Sequence, residues 1–256
     1  MLACVLFKPI LKIKIYIHEQ NCVVGRTNKF FLKFADKIFL NFDIKSKISY
    51  NLQDKTFVVG LPEKKTKYLD KNFEDFFGNN FLIFVFGGSQ GSKYVTEFAT
   101  QLIKIINKEK IINAKFIIQC PTNLISQTSN NLKKIEKKII IKNYFDNIEE
   151  ILHHTSIAIS RAGAGSIRDL INYNVPSVLI PLPTAKDNHQ YDNASIMTNI
   201  DVAISINEKK NELNKAKNYI YNIYNSSQQR KLLINKFNKI KVKNSNSLIY
   251  RLINNG

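Results

Sequence analysis

Glycine is scarce in this sequence, with nine in 256 residues, and tryptophan is absent. Cysteine occurs three times, arginine makes up five of the 38 cations, and no apolar run approaches the ~18 residues of a membrane-spanning helix. Each shortage excludes something. Cys4, Cys22 and Cys120 are odd in number and lack C-x-x-C spacing, so neither a disulfide framework nor a zinc site is indicated, and a reducing compartment fits. The opening MLACVLF is too short for a signal-peptide core and has no basic stretch before it, which points to the cytoplasm. The formal charge of +18 invites an anionic partner, but 33 lysines against five arginines, with 31 asparagines, read as a drift toward Lys, Asn and Ile across the whole chain. Base readout leans on arginine forks, and neither zinc-finger spacing nor an RNP-type aromatic motif is present. Nucleic acid is therefore not an expected partner; the cytoplasmic face of an anionic membrane suits the charge better.

What is present is a globular composition, 44% apolar over a length that suits one large or two small domains. From residue 81, short β-branched apolar runs alternate with amphipathic stretches. FLIFVF, AKFIIQC, IIIKNYF, SIAIS, SVLIPL and VAISI read as strands, with helices near 92–107, 124–137, 147–154, 165–174 and 190–200 between them. That alternation predicts a parallel, doubly wound α/β sheet of Rossmann-like type with right-handed crossovers. Before it, KIYIHEQN, KIFLNF and KTFVVG read as three strands around a helix in NKFFLKFADK, and a turn at Gly60-Leu61-Pro62 marks a boundary. After 208 the pattern is helical, with apolar positions at Ile220, Tyr221, Tyr224, Leu232, Leu233 and Phe237. The expected division is 1–62, 63–240 and a C-terminal helix or tail at 241–256.

The few glycines are not scattered. Three of the nine lie within FVFGGSQGSKYVTEF, at 87, 88 and 91, and two more within ISRAGAGSIRDL, at 163 and 165. Each loop follows a strand and opens a helix, a placement that points backbone N–H groups and the positive end of a helix at a crevice beyond the strand ends. Phosphate is the natural guest. GGSQGSK lacks the GK[ST] ending of a Walker loop and AGAGSIR lacks the third glycine of GxGxxG, so generic ATPase and dehydrogenase readings are weak. Tight turning alone would also explain either loop taken singly.

HEQN at 18–21 with the following GRTNK, the GGSQG loop, SRAGAGS, and DNHQYDNA at 187–194 occur in an order that resembles the MurG family. These are the transferases that move N-acetylglucosamine from UDP-N-acetylglucosamine to undecaprenyl-diphospho-muramoylpentapeptide in peptidoglycan synthesis. The resemblance spans nearly the whole chain to about residue 200. It implies a GT-B fold, with a complete C-terminal Rossmann-like sugar-nucleotide domain and only a remnant of the N-terminal acceptor domain. It also implies a peripheral enzyme on the cytoplasmic side of the membrane that needs no cofactor. Carried over by position, Ser89 contacts the diphosphate, and Ala164, Gly165 and Ser166 offer it a helix N-terminus. Asp169 stands where the family usually has a ribose-binding Glu, the backbone at Phe145 reads uracil, and His189 and Gln190 face the sugar hydroxyls with Asn21. The family's GNPVR turn has become Gly60-Leu61-Pro62-Glu63-Lys64, so Lys64 replaces a nucleotide-binding Arg and loses its planar fork.

No D-x-D occurs to hold a metal on the diphosphate, so loop amides and helix dipole are expected to stabilise the departing UDP. The inverting reaction also needs a general base. The resemblance places a candidate in a GGTGGH-type loop, and nothing in residues 1–17 matches one, so no catalytic base is assigned. His18, at a strand end, is either a packing or hydrogen-bonding residue or a substitute base, the former being the commoner role. His153 and His154 receive no role. The alternative to an active transferase is a non-catalytic UDP-sugar-binding remnant, or one chain of a split enzyme that needs a separate N-terminal fragment.

Overall fold

The computed structural model describes residues 1–62, 76–78, 80–88, 91–110, 112–185, 188–241 and 244–254. They form two compact units, one of residues 1–64 with 242–256 and the other of residues 65–241.

The first unit is built on three short parallel strands, β1 (Tyr16–Glu19), β2 (Lys37–Leu40) and β3 (Thr56–Val58), paired in that order. Two helices precede β1 and β2, namely α1 (Leu2–Leu11) and α2 (Arg26–Phe31). The expected helix through NKFFLKFADK is shorter than its sequence pattern: α2 passes into a single 3-10 turn at Leu32–Phe34 and stops before extended Ala35. α1 escaped the sequence reading, because an almost wholly apolar decapeptide interrupted by Pro9 shows no helical alternation. None of its residues is buried, and Leu2, Leu6, Phe7, Ile10 and Leu11 are 51–72% exposed.

An electrostatic clamp holds α1 instead. Lys8 Nζ donates to both Asp36 carboxylate oxygens (2.8 and 2.7 Å) and to the Phe34 carbonyl (3.0 Å), while Asp36 Oδ2 also accepts from the Ile15 N–H at 2.7 Å. His18 Nε2 donates to the Gly60 carbonyl at 2.8 Å, the hydrogen-bonding role expected of a strand-end histidine. That bond fixes the proton on Nε2 and leaves only Nδ1 as a basic nitrogen. The C-terminal helix, Ser245–Asn254, belongs to this unit too: Tyr16 Oη and Lys37 Nζ donate to its Ile253 and Leu252 carbonyls.

The second unit carries six parallel strands in the order β6-β5-β4-β7-β8-β9. They are β4 (Phe81–Phe86), β5 (Ala114–Gln119), β6 (Ile139–Lys142), β7 (Ile157–Ser160), β8 (Ser177–Leu179) and β9 (Ala203–Ser205). Central strands of an all-parallel sheet are covered on both faces and so read as unbroken apolar runs, as FLIFVF and IAIS do. All four residues of β7 are buried, as are the last five of β4. Helix α3 (Lys93–Glu109) buries Val95, Phe98, Ala99, Leu102, Ile103 and Ile106, the i, i+3, i+4 stripe of an amphipathic helix. Ser92 caps its start and left-handed Lys110 (φ 50°) ends it.

The expected helix over 124–137 is broken. Helix α4 runs only Ile125–Asn131, and a 3-10 stretch with non-helical Ile135 follows. Its sequence, ISQTSNN, is rich in side chains that compete for backbone hydrogen bonds, which explains the early stop. The remaining helices are α5 (Ile148–His154), α6 (Ala164–Asn172), α7 (His189–Thr198), α8 (Leu213–Asn225) and α9 (Ser227–Phe237). No helix among the described residues is long and apolar enough to cross a membrane.

Burial pushes the Asp36 carboxyl up, but the Ile15 N–H, Lys8 and Lys55 outweigh it and hold the group below its ordinary value of 3.8. A depressed folded value means that its contribution is fully present above the unfolded value and is lost as pH falls through the folded one. Hydrogen exchange of the α1 amides should therefore accelerate selectively as pH drops below about 4, after correction for intrinsic rates. Asp36→Asn should produce the same loosening at neutral pH. Identical protection in the variant would dismiss the clamp.

Candidate functional site

Strand order locates the site. From β4 the chain moves outward through β5 to β6, then returns to the other side of β4 as β7. The gap between the carboxyl ends of β4 and β7 is thus a topological switch point, where open α/β sheets bind ligands. Phe86 and Ser160, the last residues of these strands, are direct register partners. The two glycine loops therefore leave the sheet side by side.

The first loop needs glycine for steric reasons. A Cβ on Gly87 would sit 2.3 Å from the Ser92 amide nitrogen, so the chain folds back on itself more tightly than any side chain permits. Positive φ at Gly88 and Gly91 completes the turn. Ser89 lies outside the described residues, as does Lys64.

The second loop uses its glycines differently. A Cβ on Gly165 would meet nothing within 4 Å, and one on Gly163 only the Ser166 hydroxyl oxygen at 3.8 Å. These positions leave open space above the first turn of α6. Gly163 caps that helix without a side-chain hydrogen bond, and its first turn holds no acidic residue. Ala164, Gly165 and Ser166 are thus brought together at a bare helix N-terminus, a geometry suited to an anion.

Asp169 follows on the same helix and is half-buried. Phe145 lies beyond the carboxyl end of β6 and is 4% exposed, its ring set edge-on against Phe84 of β4 at 6.1 Å. The ring belongs to the core, so only the backbone at Phe145 is available to a ligand. Gln190 and His189 open α7. Gln190 Oε1 accepts from the Leu182 N–H (3.0 Å), which ties the 181–183 loop down and turns the Nε2 amide into its remaining donor. Asn21 lies in the first unit, where its N–H donates to Glu19 Oε1 (3.0 Å). His153 and His154 end α5 ahead of β7, at the amino edge of the sheet away from the crevice, where His154 stacks on Phe77.

Sequence reasoning missed three organising side chains. Buried Glu19 gathers the HEQN turn by also accepting from the Gly25 N–H and the Asn28 amide, each at 2.8 Å. Asn193, fully buried on α7, donates to the Ala162 carbonyl at 3.1 Å and braces the second glycine loop. Arg161 donates through Nε to Ser92 Oγ at 3.1 Å, joining the two loops. All three lie inside or beside the quoted motifs, so motif membership was the available signal; their contacts were not readable from it.

Residues 82–249 match the C-terminal domain of glycosyltransferase family 28. The chain belongs to that family. A curated relative from Rickettsia bellii (strain RML369-C), UDP-N-acetylglucosamine--N-acetylmuramyl-(pentapeptide) pyrophosphoryl-undecaprenol N-acetylglucosamine transferase, is 35% identical over 195 residues, covering 73% of this chain and 54% of that protein. The protein of the same name from Prochlorococcus marinus (strain NATL1A) is 27% identical over 234 residues, 91% of this chain and 65% of its own length. The family 28 chain thus spans between about half and two thirds of these relatives. Among solved structures, Acinetobacter baumannii MurG superposes with a TM-score of 0.75 at 20% identity, over 98% of this chain and 70% of that one. Arabidopsis thaliana UGT89C1, solved with UDP-L-rhamnose, gives 0.67 at 13% identity over 96% and 68%. The fold is that of the GT-B glycosyltransferases, as the sequence resemblance implied.

The two glycine loops should respond oppositely to the same change. Gly87→Ala forces a backbone shift and should lower stability by about 1–3 kcal/mol, as overpacking does. Gly165→Ala points a methyl into open space on a helix and should leave the melting temperature unchanged or raise it slightly. Comparable losses in both variants, measured by thermal unfolding, would refute the assignment of open space at Gly165.

Proposed function

We propose that this chain holds UDP-N-acetylglucosamine at the β4/β7 switch point. We further propose that it serves inverting transfer of N-acetylglucosamine to undecaprenyl-diphospho-muramoylpentapeptide at the cytoplasmic face of the membrane. The observation that carries the reading is the bare N-terminus of α6 beside the first glycine loop, within a family 28 C-terminal domain. In this reading the first-turn amides of Ala164, Gly165 and Ser166 receive the diphosphate, and Ser89 adds a donor from the first loop. Asp169 accepts from the ribose hydroxyls, the Phe145 backbone pairs with uracil, and Gln190 Nε2 with His189 meets the sugar.

As the glycosidic bond to UDP breaks, negative charge grows on the diphosphate. Helix-end amides already aimed at it stabilise that charge without reorganising. The muramoyl 4-hydroxyl attacks from the opposite face and must lose its proton to a base. No residue of this chain is given that role; His18 donates through Nε2 to the Gly60 carbonyl, a structural contact within the first unit.

A binding-only role is the second reading, favoured because the features that carry the first, the bare α6 N-terminus beside the first glycine loop, serve donor binding alone. A chain limited to donor binding takes up UDP-N-acetylglucosamine but transfers it negligibly, because losing a general base alone removes about 10²–10⁴ in rate. Co-expression with the unmatched portion of the Rickettsia bellii relative should then restore transfer to a lipid-linked acceptor.

Calorimetric titration tests the subsites. Gln190→Ala should weaken UDP-N-acetylglucosamine about tenfold, the worth of one charge-assisted or well-placed hydrogen bond, and leave UDP untouched. Asp169→Ala should weaken both ligands. Equal losses for both ligands in both variants would mean that the sugar and ribose subsites are misplaced, and no binding of UDP by the unaltered chain would end the proposal.

A further inference from the structure

We propose that Arg161 and Glu208 form a positioning pair that fixes the two glycine loops relative to each other for diphosphate binding, with Glu208 as the anchor. The inference deepens the UDP-binding reading and rests on it for its ligand.

Arg161 leaves the end of β7 and is 8% exposed. Its guanidinium reaches three neighbouring segments at once. Nε donates to Ser92 Oγ (3.1 Å), and Nη1 donates to Glu208 Oε2 (2.6 Å) and the Ile180 carbonyl (3.1 Å), with the Pro181 carbonyl at 3.5 Å. The guanidinium carbon also lies 5.9 Å from the centre of the Tyr94 ring. One rigid fork thus connects the cap of α3, the exit of β8 and the segment after β9. Lysine, with a single point charge, cannot span that set.

Ser92 is the mechanical link. Its hydroxyl oxygen caps α3 by accepting from the Val95 N–H at 3.5 Å, a long bond that gains from a second donor holding the oxygen in place. Its amide nitrogen is the atom against which Gly87 packs so closely that no Cβ fits. Displacing Ser92 therefore displaces the first glycine loop, while Arg161 itself begins the second.

Glu208 makes the arrangement tenable. A guanidinium this buried would be costly without a partner, and the carboxylate, whose side chain is 23% exposed, neutralises it. The pair accordingly presents little net charge to the crevice. Arg161 acts through Ser92, as a positioning residue, and does not serve as the phosphate ligand. Nothing in the sequence motifs marks Glu208, which stands outside all of them.

The two roles predict opposite signs. If Arg161 contacted the diphosphate directly, Glu208→Ala would release a cation and tighten UDP binding. If it positions the loops, Glu208→Ala weakens UDP by about tenfold or more, since truncating one member of a buried charged pair leaves the other misplaced. Glu208→Gln keeps a carbonyl acceptor and recovers most of the affinity, and Arg161→Lys, which keeps the charge and loses the fork, fails like Glu208→Ala.

The test uses the full 256-residue chain, with UDP titrated by calorimetry and amide exchange followed at residues 91–96 without ligand. Exchange there should accelerate in Glu208→Ala and be largely rescued in Glu208→Gln. Wild-type or tighter UDP binding by Glu208→Ala, wild-type binding by Arg161→Lys, or unchanged exchange at 91–96 each overturns the proposal. Should the unaltered chain bind no UDP, the functional reading falls and the exchange data alone decide whether the pair sets the loop.

Discussion

The pairing of β7 against β4, on the side opposite β5, is the constraint from which the rest of the second unit follows. It places two strand ends in register at Phe86 and Ser160, and with them the two loops that hold five of the nine glycines. Had β7 continued outward beyond β6, the bare N-terminus of α6 would open three strands away from the first loop and no shared crevice would exist. The apolar cost of that choice is met by complete burial of β7 and near-complete burial of β4, so the pair doubles as the core of the domain.

Within that frame the site divides its labour between backbone and side chain. Groups that face the open space are amides and small residues, at Ala164, Gly165 and Ser166, where a helix end supplies partial positive charge without an ionised side chain. Arg161, the buried cation that joins the two loops, is already matched by Glu208. A site made of fixed dipoles favours an anion while paying little to rearrange when charge develops. Side chains that carry full charge then act from behind, on geometry.

Most of the architecture was legible because strands buried on both faces write themselves as apolar runs, and FLIFVF, SIAIS and SVLIPL carried the parallel, doubly wound class, while the order of the strands came only from the structure. The loops were legible for a related reason: in a chain so poor in glycine, a cluster stands out. What stayed hidden was of two kinds. Helix α1 is apolar on nearly all sides and carries Pro9, so no periodicity announces it, and its attachment through Lys8 and Asp36 joins residues 28 apart in sequence. The 124–137 segment has helical apolar spacing yet breaks at Leu132–Ile135, because short polar side chains offer its backbone other partners. Contacts such as Arg161 with Glu208 or Asn193 with Ala162 depend on distant parts of the chain converging, which no local pattern encodes.

The lysine excess and the arginine shortage make a last physical point. Thirty-three of the 38 cations are lysines, and none of those among the described residues is buried, as expected for a strongly hydrated ammonium on a flexible stem. Two of the five arginines, Arg161 and Arg168, are buried, and a third, Arg230, donates through Nη1 to the Ile223 and Tyr224 carbonyls at 2.6 and 2.8 Å. A more weakly hydrated planar fork can be taken out of water and hold several acceptors at once; an ammonium can do so only at greater desolvation cost. Where a cation in this chain needs only to be solvated, lysine serves. Where it must span several backbone segments from inside the fold, the chemistry requires arginine, and at Arg161 that requirement coincides with the two glycine loops proposed to hold the ligand.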